Sequence, residues 1–227
     1  MMNEQPAADA RSIPCREAAL AAADFAAQVF LAPELPELET KARALVPHLL
    51  ECLCADESEV TAALRAKLAA FDCTALEADA LTVRREHAKL FLGVGESTIP
   101  LSISVWTSEK GLLRQEASET CRKAYADAGI ALDDDAPYDP DHVGTAFAFL
   151  SLLEMRAEAA REAAAEGEQP EEADQDAETV DPTVFYRTVV APSLRGILAR
   201  ILERTDAPFY RAVASLYGML DEAHVFG

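Results

Sequence analysis

Apolar residues recur along most of this chain at spacings of three and four, and rarely in alternation, so the pattern predicts helices rather than strands. Leu38, Ala42, Leu45, Val46, Leu49, Leu50 and Leu53 form one stripe, with Pro47 as a kink or break. Val60, Leu64, Leu68 and Phe71 form a second, after a polar start at Asp56 to Ser58. Thr74-Ala75-Leu76-Glu77 reads as a capping box opening a third helix, striped by Leu76, Ala80, Val83, His87, Leu90 and Phe91. On that face His87 is expected to be a satisfied, partly buried histidine. A helix from about Glu109 to Ala128 presents Leu113, Ala117, Cys121 and Ala124, and Gly129 stops it. From Asp141 to about Ala165 the chain is apolar on most sides through Phe147, Phe149, Leu150, Leu152 and Leu153, the pattern of a central, buried helix. Asp181-Pro182 opens another helix, striped by Val190, Leu194, Ile197, Leu198 and Ile201, with a bend at Pro192. Asp206-Ala207-Pro208 opens the last, with Phe209, Val213, Leu216, Tyr217 and Leu220 facing inward.

Two stretches interrupt this periodicity. Between Gly93 and Thr107 glycines and Pro100 punctuate a loop, which Ile103, Val105 and Trp106, the chain's one tryptophan, would anchor. Gly93-x-Gly95 is too short to cradle a phosphate. The second interruption is the acidic run Asp133-Asp134-Asp135 leading to Tyr138-Asp139-Pro140-Asp141-His142. Asp139 suits an N-cap and Pro140 a first helical position, which puts Asp141 and His142 in the first turn. There the helix dipole favours the anion and disfavours imidazole protonation. Either this is a capping device with His142 as a passenger, or it is a mouth that takes a cationic partner.

Alanine is abundant and glycine scarce, which supports an all-α chain of one domain or two small lobes. The formal net charge is −20. Residues 158–181 hold ten acids against one base, and 167–179 reads as a disordered insertion. Without 158–181 the charge is still −11 (30 acids, 19 bases), so the folded body is itself acidic. Such a body repels nucleic acid and favours basic partners. Five cysteines with no framework, including Cys52-Leu53-Cys54, read as reduced thiols with no metal site. The Ala-rich stretch 18–32 has a superficial likeness to a leader, but Asp24 and Gln28 interrupt it. The longest other apolar run, Val143 to Leu153, is too short to span a bilayer, so a cytoplasmic protein without stable membrane insertion is expected. No nucleophile elbow or metal-ligand pairing argues for catalysis.

Leu90-Phe91-Leu92-Gly93-Val94-Gly95, then Pro100-Leu101-Ser102-Ile103-Ser104-Val105-Trp106, then Tyr138-x-Pro140 with Asp141-His142, and finally Phe209-Tyr210 occur in this order. Together they resemble the TorD/DmsD-type family of chaperones for molybdenum-containing redox enzymes, from about Glu86 to Tyr217. Val94, Leu101-Ser102 and His87 depart from the family pattern, as do Val189, Val190 and Ser193 around Pro192. These departures bear on the client more than on the fold. The resemblance implies a multi-helix bundle with an N-terminal lobe (1–132), an acidic hinge (133–141) and a C-terminal lobe (142–227). It implies no cofactor and, as partner, the catalytic subunit of a molybdopterin oxidoreductase with its twin-arginine signal peptide. The client would meet Asp141 and His142, shaped by Tyr138, Asp139 and Pro140, with Trp106, Ser104, Pro100 and Phe91 as the apolar wall. On that reading, replacing Asp141 and His142 by alanine weakens client capture and leaves the melting temperature nearly unchanged. The alternative is an acidic all-α scaffold, or an assembly factor for a non-exported, nitrate-reductase-like subunit. Homodimerisation by lobe exchange stays open.

Overall fold

The computed structural model describes residues 13–31, 37–54, 56–94, 98–133, 135–166, 180–204 and 207–227. Gly95, Asp134, Asp206 and the acidic insertion expected at 167–179 lie outside them. The described chain is helical, and its only β pairing is one isolated antiparallel bridge. The architecture is all-α, as the periodicity predicts.

The Ala-rich stretch with the look of a leader is helix α1, Ile13–Leu31, and it lies at the centre of the molecule. Ala18, Ala19, Ala22, Ala23 and Ala26 are completely buried. Their small side chains let α1 lie against the long helix Val143–Glu166 (called α7 below, in chain order). The approach is close enough that a Cβ on Gly144 would sit 2.7 Å from Leu31 Cγ, so glycine is required there. Three tyrosine hydroxyls donate to carbonyls of α1: Tyr217 to Ala22, Tyr210 to Val29 and Tyr138 to Leu31. A buried phenol needs such an acceptor, because an unsatisfied hydroxyl loses its water without replacement.

Around this pair run α2 (Glu37–Cys52), α3 (Glu59–Ala69), α4 (Ala80–Phe91), α5 (Ile103–Thr107) and α6 (Glu116–Asp127). After α7 come α8 (Pro182–Phe185), α9 (Ala191–Arg204) and α10 (Pro208–Glu222). Buried side chains from both sides of residues 133–141 form one apolar cluster. Exposing that cluster to water would cost roughly 25 cal/mol per Å².

Several boundaries differ from expectation, each for a local reason. The α2 helix runs unbroken through Pro47. Thr74 does not open α4: residues Cys73–Glu77 form a 3₁₀ turn, and α4 starts at Asp79, whose carboxylate accepts from the Leu81 and Thr82 amides. An ionised carboxylate holding two amides outcompetes a hydroxyl cap. The stretch expected to be one loop from Gly93 to Thr107 contains α5, too short to show a period. The helix expected from Glu109 begins at Glu116, because Gly111 and Arg114 take positive φ (60° and 54°) and break it. The bend expected at Pro192 is a π turn, Tyr186–Val190, in which the Ala191 amide reaches back to the Tyr186 carbonyl. Proline cannot donate within a regular ladder, and a widened preceding turn absorbs that defect.

Candidate functional site

Asp139-Pro140-Asp141-His142 is not the first turn of a helix. The His142 amide donates to the Asp139 carbonyl at 2.9 Å, which closes a β-turn with Pro140 in its second position. What overrides the N-cap is a distant partner strand. Ile103 N–H donates to the Asp141 carbonyl (2.8 Å), and Val143 N–H donates to the Leu101 carbonyl (2.7 Å). These two bonds flank an antiparallel bridge between Ser102 and His142. The α7 helix then begins at Val143, capped by His142 itself, whose Nδ1 accepts from the Gly144 amide at 3.2 Å.

The bridge brings most of the predicted site residues together and sorts them by depth. Asp141 is completely buried. Its Oδ2 accepts from the Ser102 hydroxyl (2.8 Å) and the Ser104 amide (2.9 Å). Its Oδ1 is buried with no hydrogen-bond partner among the described residues. Ser104 is equally buried, and its hydroxyl accepts from the Gln115 amide at 3.1 Å. Pro140 is buried beneath Tyr125, which donates to its carbonyl at 2.7 Å. Asp141, Ser104 and Pro140 are therefore enclosed in the body, away from solvent.

His142 is half-buried and lies against the Tyr138 ring, centroids 4.7 Å apart. Burial, with the nearby His87 imidazole, drives its pKa down to about 4 against the pull of Asp141 and Asp139. His142 is thus neutral at pH 7. His87 is likewise lowered to about 4 by burial. Its Nδ1 lies 2.9 Å from the Tyr210 hydroxyl, which gives its one proton to Val29, so Nδ1 must carry the hydrogen. His87 is a satisfied buried histidine, as expected from its place on an apolar stripe. Phe91 packs with Phe30, His87 and Tyr210, an aromatic cluster on α4, α1 and α10. Trp106 is half-buried, and its Nε1–H donates to the Pro100 carbonyl at 2.8 Å. Its ring covers Gly196 of α9, where a Cβ would come within 2.5 Å of Cε3.

Asp139 and Tyr138 stay on the outside. Tyr138 is 40% exposed. The Asp139 side chain is 29% exposed, and its Oδ1 accepts from Arg114 Nε at 2.9 Å. The loop that carries Arg114 also borders a groove of about 630 Å³. Ile103 and Thr107 of α5, Leu112 and Gln115 of the following loop, Thr120 of α6 and Val189 of the π turn line it, with Glu109, Lys110 and Glu116 as its charged residues. Leu112, in the lining, and Leu113, next to it in sequence, are half exposed. Neither Trp106, Pro100 nor Phe91 lines this groove. Sequence reasoning missed Arg114 and the loop before it by running a helix through them. Ser108 and Gly111, two helix-breaking types three residues apart, were the available signal.

Chemistry beyond binding finds little here. Burial pushes the Cys52 thiol up to about 11 and Cys121 up to about 12, far from nucleophilic thiolates. Among the described residues no cluster of three or more His, Cys, Asp or Glu is placed to hold a metal. No helix among them is long and apolar enough to cross a membrane.

Among the described residues the chain is a helical body with a carboxylate turn and an open groove, and the class it belongs to is given by its likeness to known proteins. A family model described as nitrate reductase delta subunit matches residues 51–180, more than half of the 227 residues, and the chain belongs to that family. It is a family of molybdoenzyme maturation chaperones, which bind molybdoenzyme catalytic subunits, and the likeness to TorD/DmsD-type proteins agrees with it. No curated protein matches the chain.

Proposed function

We propose that this chain is a cytoplasmic chaperone that holds the twin-arginine signal region of a molybdopterin oxidoreductase subunit until its cofactor is loaded. A client arginine would bind Asp139, and the apolar residues after it would lie in the groove walled by Ile103, Leu112 and Val189. The observation that carries this reading is the Asp139–Arg114 pair, made by the loop whose Leu112 and Gln115 line the groove: this carboxylate already accepts a guanidinium at 2.9 Å. A guanidinium suits this carboxylate better than an ammonium, because a planar donor fork matches a carboxylate. The chain's net charge of −20, still −11 without residues 158–181, steers basic segments towards it. Asp141 and His142 are positioning residues in this scheme, fixing the turn that presents Asp139.

Titration calorimetry with an Arg-Arg leader peptide and its Lys-Lys variant tests the reading. Arg-Arg should bind more tightly, and Asp139→Asn should weaken it by about tenfold, the scale of a lost charge-assisted hydrogen bond. Equal binding of both peptides, or none, would overturn it. The family description favours a second reading, in which the client is a nitrate-reductase-like subunit without an exported signal. Capture that survives deletion of the client's leader would decide for that one.

A further inference from the structure

We infer that Arg114 is a built-in competitor for the client's arginine, occupying Asp139 in the free protein and giving way when the client arrives. The inference rests on the reading of Asp139 as the acceptor of a client guanidinium. Three features of the 108–115 loop carry it. First, Arg114 is held at φ 54°, a left-handed conformation that long side chains adopt rarely, and the chain spends a non-glycine residue there. Second, the loop is braced on both sides of Arg114. Ser108 Oγ accepts from the Leu112 amide (3.0 Å), and Ser104 Oγ accepts from the Gln115 amide (3.1 Å). The guanidinium is thus delivered to Asp139 by a loop tied to the α5 turn that Asp141 organises. Third, the contact is exchangeable: the Arg114 side chain is 73% exposed, so water can replace it without opening the core.

The placement matters as much as the pairing. Leu112 and Gln115 line the groove while Arg114, between them in sequence, turns to Asp139. A client that sets its arginine on Asp139 and its next residues in the groove must contact both sides of this one loop. Displacing Arg114 is therefore part of docking rather than a separate event. A peptide with a weaker donor, such as the Lys-Lys variant, would be the poorer competitor, so Arg114 sharpens the choice as well as lowering the affinity.

Calorimetry on the full chain with the Arg-Arg peptide reads this directly. Arg114→Gln should tighten binding about threefold to fivefold, the worth of an exposed ion pair. In an Asp139→Asn background the same substitution should give no gain. Arg43→Gln removes an equally charged, exposed arginine paired with Glu39 on α2 and controls for net charge; it should leave the affinity within about twofold. If Asp139→Asn weakens the peptide but Arg114→Gln does nothing, loosens it, or acts no differently from Arg43→Gln, the competitor is disproved and the acceptor role survives. If neither Asp139→Asn nor Arg114→Gln changes the affinity, or no peptide binds, both readings fall together.

Discussion

Asp139 and Asp141 are separated by a single proline and do opposite work. The inner carboxylate has no exposed surface and spends Oδ2 on Ser102 and Ser104. The outer one is 29% exposed and meets a mobile type of partner, an exposed arginine. Both are Asp beside Pro in the sequence, and both carry the same formal charge. What separates them is the turn at Pro140: Asp141 is tied to the Ile103 amide beside the Ser102–His142 bridge, and the turn swings Asp139 out of that pairing. The lesson is that charge at the mouth of a buried helix is not one resource. Part of it fixes the backbone, and only the remainder is available to a partner.

The sharpest way to break this comparison is Asp141→Ala. It strands the Ser104 amide and the Ser102 hydroxyl in the interior, so stability should fall by about 3–5 kcal/mol, the usual result of removing one side of a buried, charge-assisted set. Urea denaturation measures it. This reverses the expectation from sequence that Asp141 and His142 can be replaced without affecting the melting temperature. A change under about 1 kcal/mol would mean that Asp141 does not hold the α5 turn in place.

Acid should act next, through the inner face. His142 and His87 both have folded pKa values near 4 against an unfolded value near 6.5. The unfolded chain therefore binds more protons between those limits. Stability is whole above pH 6.5 and falls as pH drops towards 4, by up to about 3 kcal/mol for each histidine. Glu86, raised by burial, opposes this weakly at the lower end. Denaturant midpoints from pH 7 to 4.5 for wild type and His142→Gln should differ in slope by about one proton. Parallel curves would show that His142 titrates as it does in water.

The helices were legible in the sequence because burial repeats locally: the stripes of α2, α9 and α10 name residues that are buried, such as Leu45, Ile197 and Leu216. The candidate site was legible in part. Asp139, Asp141 and His142 do lie on one turn with the Tyr138 ring against His142, and the Pro100–Trp106 segment lies beside it through the Ser102 bridge. Which way each side chain faces was not legible, because it depends on Ile103 and Val143 amides bonding across about forty residues. Local rules for Asp-Pro fit an N-cap and a β-turn equally well. The groove was hidden for a different reason. It is made by Leu112, Gln115 and Val189, whose loop and π turn interrupt the period that sequence reading relies on.

Gly196→Ala probes the support behind the site rather than the turn itself. Its new Cβ would overlap the Trp106 ring at 2.5 Å, and the ring must move for the substitution to fit. Overpacking of this kind costs about 1–3 kcal/mol. Because Trp106 is the chain's one tryptophan, its emission should shift to the red as the indole moves towards water. Unchanged emission with unchanged stability would mean that the α5–α9 contact yields without strain.

The smallest stability effect should come from the other side of the comparison. Asp139→Asn removes an exposed ion pair, of the kind that contributes about 0.2–1 kcal/mol, and the amide oxygen can still accept from Arg114. For a chain of this size that is a shift of roughly 1–3 °C in melting temperature. The two aspartates would then separate cleanly: one substitution strongly destabilises the fold and the other leaves it nearly intact while weakening the leader peptide. If Asp139→Asn proved as damaging as Asp141→Ala, the pair with Arg114 would be part of the framework. The loop it anchors could not then give way to a client, and the outer carboxylate would have no free role to play.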